Sequence, residues 1–287
     1  MVWLWVTLAV LALLALGWLF CLMPRRGERR LERLRRFRYA HRGLHNLPRG
    51  VPENSMLAFR YAVTGGFGIE LDVRLSRDRV PVVIHDGSLR RLCGVEGFVE
   101  KTSVEELQKL KLLGTRESVP TLEEVLQLVD GKVPLMLELK SYKNNVRDLC
   151  LKTAKLLEGY RGDFAVESFD PRVLRWMRRN EPFVIRGQLL ETRKDSEGTK
   201  KYGVLARLPA LLLTNVFTRP DFFACPFQNR RGMCLRFCID ALKGQEVCWT
   251  IQSQQELEEA ENGGAMVIFE GFLPKKAAEE QEEKASA

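Results

Sequence analysis

Two short stretches decide how this chain folds: Gly68-Ile69-Glu70-Leu71-Asp72-Val73 and Leu135-Met136-Leu137-Glu138-Leu139-Lys140. Each is a β-prone apolar run interrupted by charge at every second position. Side chains of a strand alternate between faces, so Glu70 and Asp72 share one face while Ile69, Leu71 and Val73 take the other. In the second run Glu138 and Lys140 share a face opposite three leucines. Two carboxylates side by side are strongly unfavourable if buried without partners. A bound divalent cation removes that penalty, and hard oxygen donors select Ca²⁺ or Mg²⁺ over a softer metal.

Working outward, further short apolar runs alternate with helical patterns. Strands are expected near Tyr39–Arg42, Ile69–Val73, Leu135–Leu139, Phe164–Glu167, Phe183–Leu189, Asp221–Ala224, Val247–Ile251 and Met266–Phe269. Helices are expected at Ser55–Val63 with Asn54 as N-cap, and at Thr121–Val129, which opens with the capping-box pattern Thr121-Leu122-Glu123-Glu124. Asn145–Glu158, Arg172–Asn180 and Gln254–Glu261 continue the series. Eight strands alternating with helices over some 250 residues predict a (β/α)8 TIM barrel. Two longer intervals, His85–Ser118 and Thr192–Arg219, read as insertions. Such a barrel carries its chemistry at the C-terminal strand ends. There the sequence places Ala40-His41-Arg42-Gly43 and Ile84-His85-Asp86, beside Glu70, Asp72, Glu138 and Lys140.

The N-terminus is of another kind. Val2 to Met23 is uncharged, long enough at 1.5 Å per residue to cross a hydrocarbon core of about 30 Å. It lacks the basic flank and small-x-small cleavage site of a secretory signal, so a retained transmembrane anchor is expected. An arginine-rich run, Pro24–Arg38, follows. Basic residues beside a span stay cytoplasmic, which predicts a single-pass membrane protein with its catalytic domain in the cytoplasm. The run reads as a topology signal and solvated linker, or as a patch lying on anionic lipid. The first 38 residues hold 8 Arg and 2 Glu, whereas 37 basic and 35 acidic residues remain for the rest, so the net +8 belongs to this segment. A nucleic-acid-binding face is therefore excluded. The organisation expected is an anchor at 1–23, a juxtamembrane linker at 24–38, the barrel at 39–274 and a disordered tail at 275–287. Seven scattered cysteines suit a reducing compartment, and Cys234-x3-Cys238 with no following His makes a poor zinc site.

Taken together, His41-Arg42-Gly43, Pro52-Glu53-Asn54-Ser55 with Ala58-Phe59, Gly68–Val73, His85-Asp86, Val119-Pro120-Thr121-Leu122-Glu123-Glu124 and Glu138-Leu139-Lys140 resemble the glycerophosphodiester phosphodiesterase family, in the manner of a membrane-anchored bacterial-type member. The resemblance is specific from about Tyr39 to Lys140. It implies a TIM barrel that hydrolyses glycerophosphodiesters to glycerol phosphate and an alcohol. It also implies His41 and His85 as acid–base pair, Glu70, Asp72 and Glu138 as ligands of a divalent cation, and Arg42 and Lys140 as phosphate contacts. In the family mechanism one His draws a proton from a glycerol hydroxyl that attacks phosphorus. The other protonates the leaving alcohol, and water then opens the cyclic phosphate. Histidine suits both roles near neutral pH, and two of only three His in the chain fall on these positions.

The remaining residues read more plainly. His45 is expected as loop support, and Glu53 either reaches the site rim or opens a helix. Trp249 and Phe169 are aromatics near strand ends that either wall the pocket or simply pack, and Trp249 is expected to wall the substrate pocket. Leu205–Leu213 reads as a buried segment, with a lipid-touching insertion as the rival. The chain departs from the family at Trp249-Thr250-Ile251-Gln252 and at Gly264–Gly271, where substrate selection is put in doubt. A lysophospholipase D acting on membrane lysophospholipids is the alternative activity, and a silent phosphodiester-binding or partner-binding barrel is the alternative class. No obligate protein partner is evident.

Overall fold

The computed structural model describes residues 1–25, 29–190 and 214–275. Nine strands follow in chain order: β1 (Tyr39–Ala40), β2 (Gly68–Leu75), β3 (Pro81–Val83), β4 (Leu135–Leu139), β5 (Phe164–Ser168), β6 (Ile185–Leu189), β7 (Phe222–Pro226), β8 (Gln245–Ile251) and β9 (Met266–Phe269). Eight of them are parallel and close on themselves, since β1 pairs with both β2 and β9. The expected TIM barrel is thus present. β3 is the addition: it runs antiparallel to the upper part of β2, Val73 opposite Val83.

The helices are α1 (Val2–Leu22), α2 (Arg29–Leu34), α3 (Met56–Gly65), α4 (Arg90–Cys93), α5 (Val104–Lys109), α6 (Leu122–Val129), α7 (Val146–Glu158), α8 (Pro171–Asn180), α9 (Asn215–Thr218), α10 (Met233–Arg236) and α11 (Gln254–Asn262). The expected capping box opens α6: Thr121 and Glu124 bond reciprocally. The expected cap of α3 is off by one. Ser55 accepts from the Ala58 amide, whereas Asn54, at φ 53°, turns its side chain to Asp72. An amide that can bridge a buried carboxylate is worth more there than at a helix end that Ser55 already caps.

Alternation sorts the core. Ile69, Leu71 and Val73 of β2, with Leu135, Leu137 and Leu139 of β4, face the helices. The lumen is filled by Met136, Ala165, Ile185, Phe222, Ala224, Val247, Met266 and Ile268. Gly187 is required for this filling, because a Cβ there would stand 2.0 Å from the Phe222 ring. The 85–118 insertion has its own apolar cluster, built on Ile84, Leu89, Leu92, Val99, Leu107 and Leu112.

Three expectations change. Strand β1 stops at Ala40, because Arg42 and Gly43 have φ of 54° and 79° and swing the chain outward. Phe183 lies before β6 and is exposed. The arginine-rich run is not a solvated linker: Leu31 and Leu34 are buried in the lumen cluster, and Leu34 carbonyl accepts from the Tyr39 hydroxyl. Alternate arginines hide two leucines that plug the N-terminal end of the barrel, a pattern that net charge obscures. The Leu205–Leu213 stretch and residues 276–287 lie outside the described residues.

Candidate active site

Strand β2 contributes Glu70 and Asp72, and β4 contributes Glu138, all buried. Registration explains their meeting: Asp72 stands opposite Glu138, and Glu138 opposite Glu167 of β5. Carboxylate oxygens of Glu70, Asp72 and Glu138 lie within 4.8 Å of one another, so three hard donors converge at one point. Two cations answer them. Lys140 Nζ is 2.8 Å from Glu138 and 3.2 Å from Asp72. Arg42 donates its amide to Glu70 at 2.9 Å and an Nη1 to Glu53 at 2.8 Å, with Nε 3.4 Å from Asp72.

The electrostatics follow from burial against charge. Burial pushes Asp72 up, but Lys140, His85 and Arg42 outweigh it and hold its carboxyl well below the usual range. Glu70 moves the other way: burial, then Asp72, Glu167 and Glu138, raise it well above the usual value. Burial also raises Glu138 against Lys140, and burial with Glu138 and Asp72 pushes Glu167 to about 8. The field is thus short of positive charge at Glu70. A divalent cation among the three carboxylates fits this donor set.

Both histidines reach the same place. His41 follows β1; its Nδ1 is hydrogen-bonded to Glu270, and its Nε2 is 3.9 Å from Glu70. His85 follows β3, with Nδ1 2.6 Å from Asp86 Oδ1. Burial and then Lys140 lower the His85 pKa, although Asp72 and Asp86 pull it back. Each imidazole is therefore fixed through Nδ1 by a carboxylate, which leaves Nε2 free for chemistry. Arg91 joins the arrangement by binding Asp86 at 2.6 Å and Glu53 at 2.8 Å.

Of the residues singled out from sequence, His41, Arg42, Glu70, Asp72, His85, Glu138 and Lys140 are all at the C-terminal strand ends. Trp249 packs at the lumen's upper edge, edge-on to Phe169 at 6.0 Å, with a buried Nε1 that has no hydrogen-bond partner among the described residues. Glu53 is a rim residue bridging Arg42 and Arg91, and it leaves the helix cap to Ser55. His45 supports the loop, 3.7 Å from Glu270, its pKa lowered by burial.

Three participants were not read as such. Glu270 lies inside the departing Gly264–Gly271 segment, and its signal was an acid directly after the last apolar run. Glu167 has a buried Oε2 with no hydrogen-bond partner among the described residues. It sits two positions before Phe169, in the same alternation that had exposed Glu70 and Asp72. Asn54 was assigned to a helix end.

Fold and polar cluster together define a TIM barrel with its site at the C-terminal strand ends. A family model described as Glycerophosphoryl diester phosphodiesterase family matches residues 41–224, and the chain belongs to that family. A glycerophosphodiester phosphodiesterase of Caldanaerobacter subterraneus subsp. tengcongensis is 43% identical over 112 residues, 36% of this chain and 44% of its own length. The chain spans about half the length of the curated relatives it matches, 44–46% of the first three. Likeness to solved structures concerns the fold. An Oleispira antarctica phosphodiesterase in complex with the product sn-glycerol-3-phosphate has a TM-score of 0.66 at 22% identity, covering 81% of this chain and 92% of that one. A glycerophosphodiester phosphodiesterase from Parabacteroides distasonis has a TM-score of 0.67 at 20% identity, covering 86% and 97%.

Proposed function

We propose that this protein hydrolyses glycerophosphodiesters to glycerol phosphate and an alcohol, with a divalent cation held by Glu70, Asp72 and Glu138. The observation that carries the reading is the pair of carboxylate-backed imidazoles, His41–Glu270 and His85–Asp86, on either side of that triad. Family membership and the glycerol-3-phosphate complex of the Oleispira antarctica enzyme support it.

In this reading His85, kept neutral by its lowered pKa, accepts the proton of a glycerol hydroxyl as its oxygen attacks phosphorus. His41 donates a proton from Nε2 to the departing alcohol, and Glu270 holds its ring in place. The cyclic phosphate is then opened by water with the two histidines in exchanged roles. Arg42 and Lys140 offset charge on the phosphoryl oxygens. The cation, Ca²⁺ or Mg²⁺, supplies further charge stabilisation at those oxygens when bound. Trp249 and Phe169 form the apolar wall against which the substrate lies.

Helix α1 is 21 residues long with mean hydropathy 2.4 and is exposed from Val2 to Trp18, which supports a membrane span; a signal sequence passes the same test. We read it as a retained anchor at 1–23, with the barrel of 39–274 on the cytoplasmic side and lipid metabolism as its setting. That anchor favours a second reading, a lysophospholipase D acting on membrane lysophospholipids. Choline release from glycerophosphocholine and lysophosphatidylcholine by the full chain, with Ca²⁺, Mg²⁺ or EDTA, tests both. EDTA-sensitive release that His41→Ala removes establishes the reaction, and the preferred substrate selects the reading. A folded, cation-binding protein silent on both substrates overturns it.

A further inference from the structure

The end of the anchor is fixed to the barrel at a definite place. The Leu22 carbonyl accepts from Asn215 Nδ2 at 2.9 Å, and the Met23 carbonyl accepts from Arg219 at 2.8 Å. Arg219 also lies over the Phe20 ring at 4.3 Å. The Arg25 amide then donates to the Pro220 carbonyl at 2.8 Å, and its guanidinium binds Asp221 at 2.6 Å, directly before β7 begins at Phe222. Arg25 also donates to the Pro182 carbonyl, just ahead of β6. The foot of α1 thus sits where β6 and β7 start, at the end of the barrel opposite the polar site.

That place is crowded with positive charge. Arg175, Arg178 and Arg179 are exposed on α8, at spacings of three and four that put them on one face. Arg178 donates to the Val216 carbonyl of α9 at 2.8 Å, and Arg175 lies over the Phe217 ring at 5.5 Å. Behind them Arg186 is buried, with Nε on the Thr218 carbonyl at 2.8 Å. The cations feel one another. Burial and then Arg178 lower the Arg219 pKa, while burial, opposed by Asp221 and helped by Arg25 and Arg178, brings Arg186 down to about 10. Asp221 is already engaged, by Arg25 and by the Arg186 amide at 2.9 Å. Among the described residues, Arg175, Arg178, Arg179 and Arg219 have no carboxylate at ion-pair distance. Exposed arginines near the catalytic end do have one: Arg90 pairs with Glu96 and Arg231 with Glu259. A guanidinium cluster that the protein leaves unneutralised suits an external anion, and its forked donors match phosphate oxygens.

The neighbouring apolar groups say which anion. Phe20, Phe183 and Phe217 are exposed around these arginines. Rings interleaved with cations suit the interface of an anionic bilayer better than a soluble phosphate. Depth agrees. From Val2 to Trp18 the exposed part of α1 amounts to about 25 Å of helix, close to a hydrocarbon core. Headgroups then lie level with Phe20 and the turn after it, the same turn that Arg219 contacts.

We propose that Arg175, Arg178, Arg179 and Arg219 bind the phosphates of anionic phospholipids at the foot of α1, a site separate from the catalytic one. The proposal rests on reading α1 as a retained span and is independent of the reaction. Helix and patch together give the barrel two contacts with the bilayer, so that it does not swing on the anchor alone.

The test uses the full chain in phosphatidylcholine vesicles that also carry phosphatidylglycerol. A fluorescent non-native amino acid replaces Phe183, beside the patch. Nitroxide-labelled phosphatidylglycerol and nitroxide-labelled phosphatidylcholine are compared as quenchers at equal mole fraction. Quenching several-fold stronger by the anionic lipid is expected. Arg175→Gln with Arg179→Gln, both exposed positions, should remove most of that excess without changing the melt. Lys152→Gln with Lys155→Gln, exposed on α7 and equal in lost charge, should leave it in place. Equal quenching by the two lipids overturns the proposal. So does an excess that survives the arginine substitutions, or one that both double variants reduce alike. Protein that fails to float with the vesicles overturns the anchor reading and the proposal with it, whereas EDTA-sensitive turnover would still report on the chemistry.

Discussion

Glu270, the first residue after the last strand, is hydrogen-bonded to Nδ1 of His41, the first residue after the first strand. The bond closes the barrel seam and fixes one imidazole. Its strength is registered on the acid: the hydrogen bond from His41 brings the Glu270 pKa down to about 2. Glu270→Gln should keep the fold and lower kcat by about 10²-fold or more, on the scale of other carboxylate-backed imidazoles. Steady-state kinetics beside a thermal melt separates lost positioning from lost structure.

The pH profile reports His85. Burial and Lys140 lower its pKa, so the neutral, proton-accepting form persists below the ordinary histidine value of about 6.5. Asp86 acts in the opposite sense, raising it through the hydrogen bond. Removing that support by Asp86→Asn lowers the pKa further, and the acidic limb of kcat/KM should move to lower pH. A limb that moves upward or stays fixed would assign it to another group.

Glu167 offers a stability test. Its folded pKa of about 8 exceeds the unfolded carboxylate value, so it favours folding when protonated. That contribution is complete below about pH 4 and is lost as pH rises toward 8. In EDTA, Glu167→Gln should therefore raise Tm by about 5 °C at pH 8.5 and by little at pH 5. Melts at the two pH values suffice.

Cation affinity should depend on the triad. Glu138→Gln removes one donor and leaves Lys140 facing Asp72 alone, and binding of Mg²⁺ or Ca²⁺ should weaken by at least about 100-fold. Calorimetric titration of the apo protein measures this without reference to turnover.

Leu34 tests the plug. It is completely buried in the lumen cluster, and truncation there creates a cavity. Leu34→Ala should cost about 2–5 kcal/mol, whereas Arg35→Ala, an exposed neighbour, should change little. A Leu34→Ala protein with an unchanged melt would return this segment to the status of a linker.

The barrel and its polar layer were legible because period-two alternation is a local property. Glu70, Asp72 and Glu138 announce themselves within five residues of sequence, and registration completes what pattern begins. β3 was missed as a strand because three residues carry no period. The plug was hidden because Leu31 and Leu34 lie among arginines, where charge dominates any average. Glu270 was out of reach for another reason: its partner is 229 residues away, and nothing local says that first and last strands meet.

Strand β1 has only two residues, and the His41 amide is held by the carbonyl of Phe269 at the end of β9. The backbone that carries His41 is thus held by the last strand of the barrel. Both histidines precede β9 in the chain, so the ring, and with it the His41–Glu270 bond, is complete only once β9 has joined β1. A chain interrupted before Met266 would keep both histidines and all three carboxylates while lacking the His41–Glu270 bond. On the function proposed above, such a chain would hold His41 without its carboxylate support and should not turn over substrate.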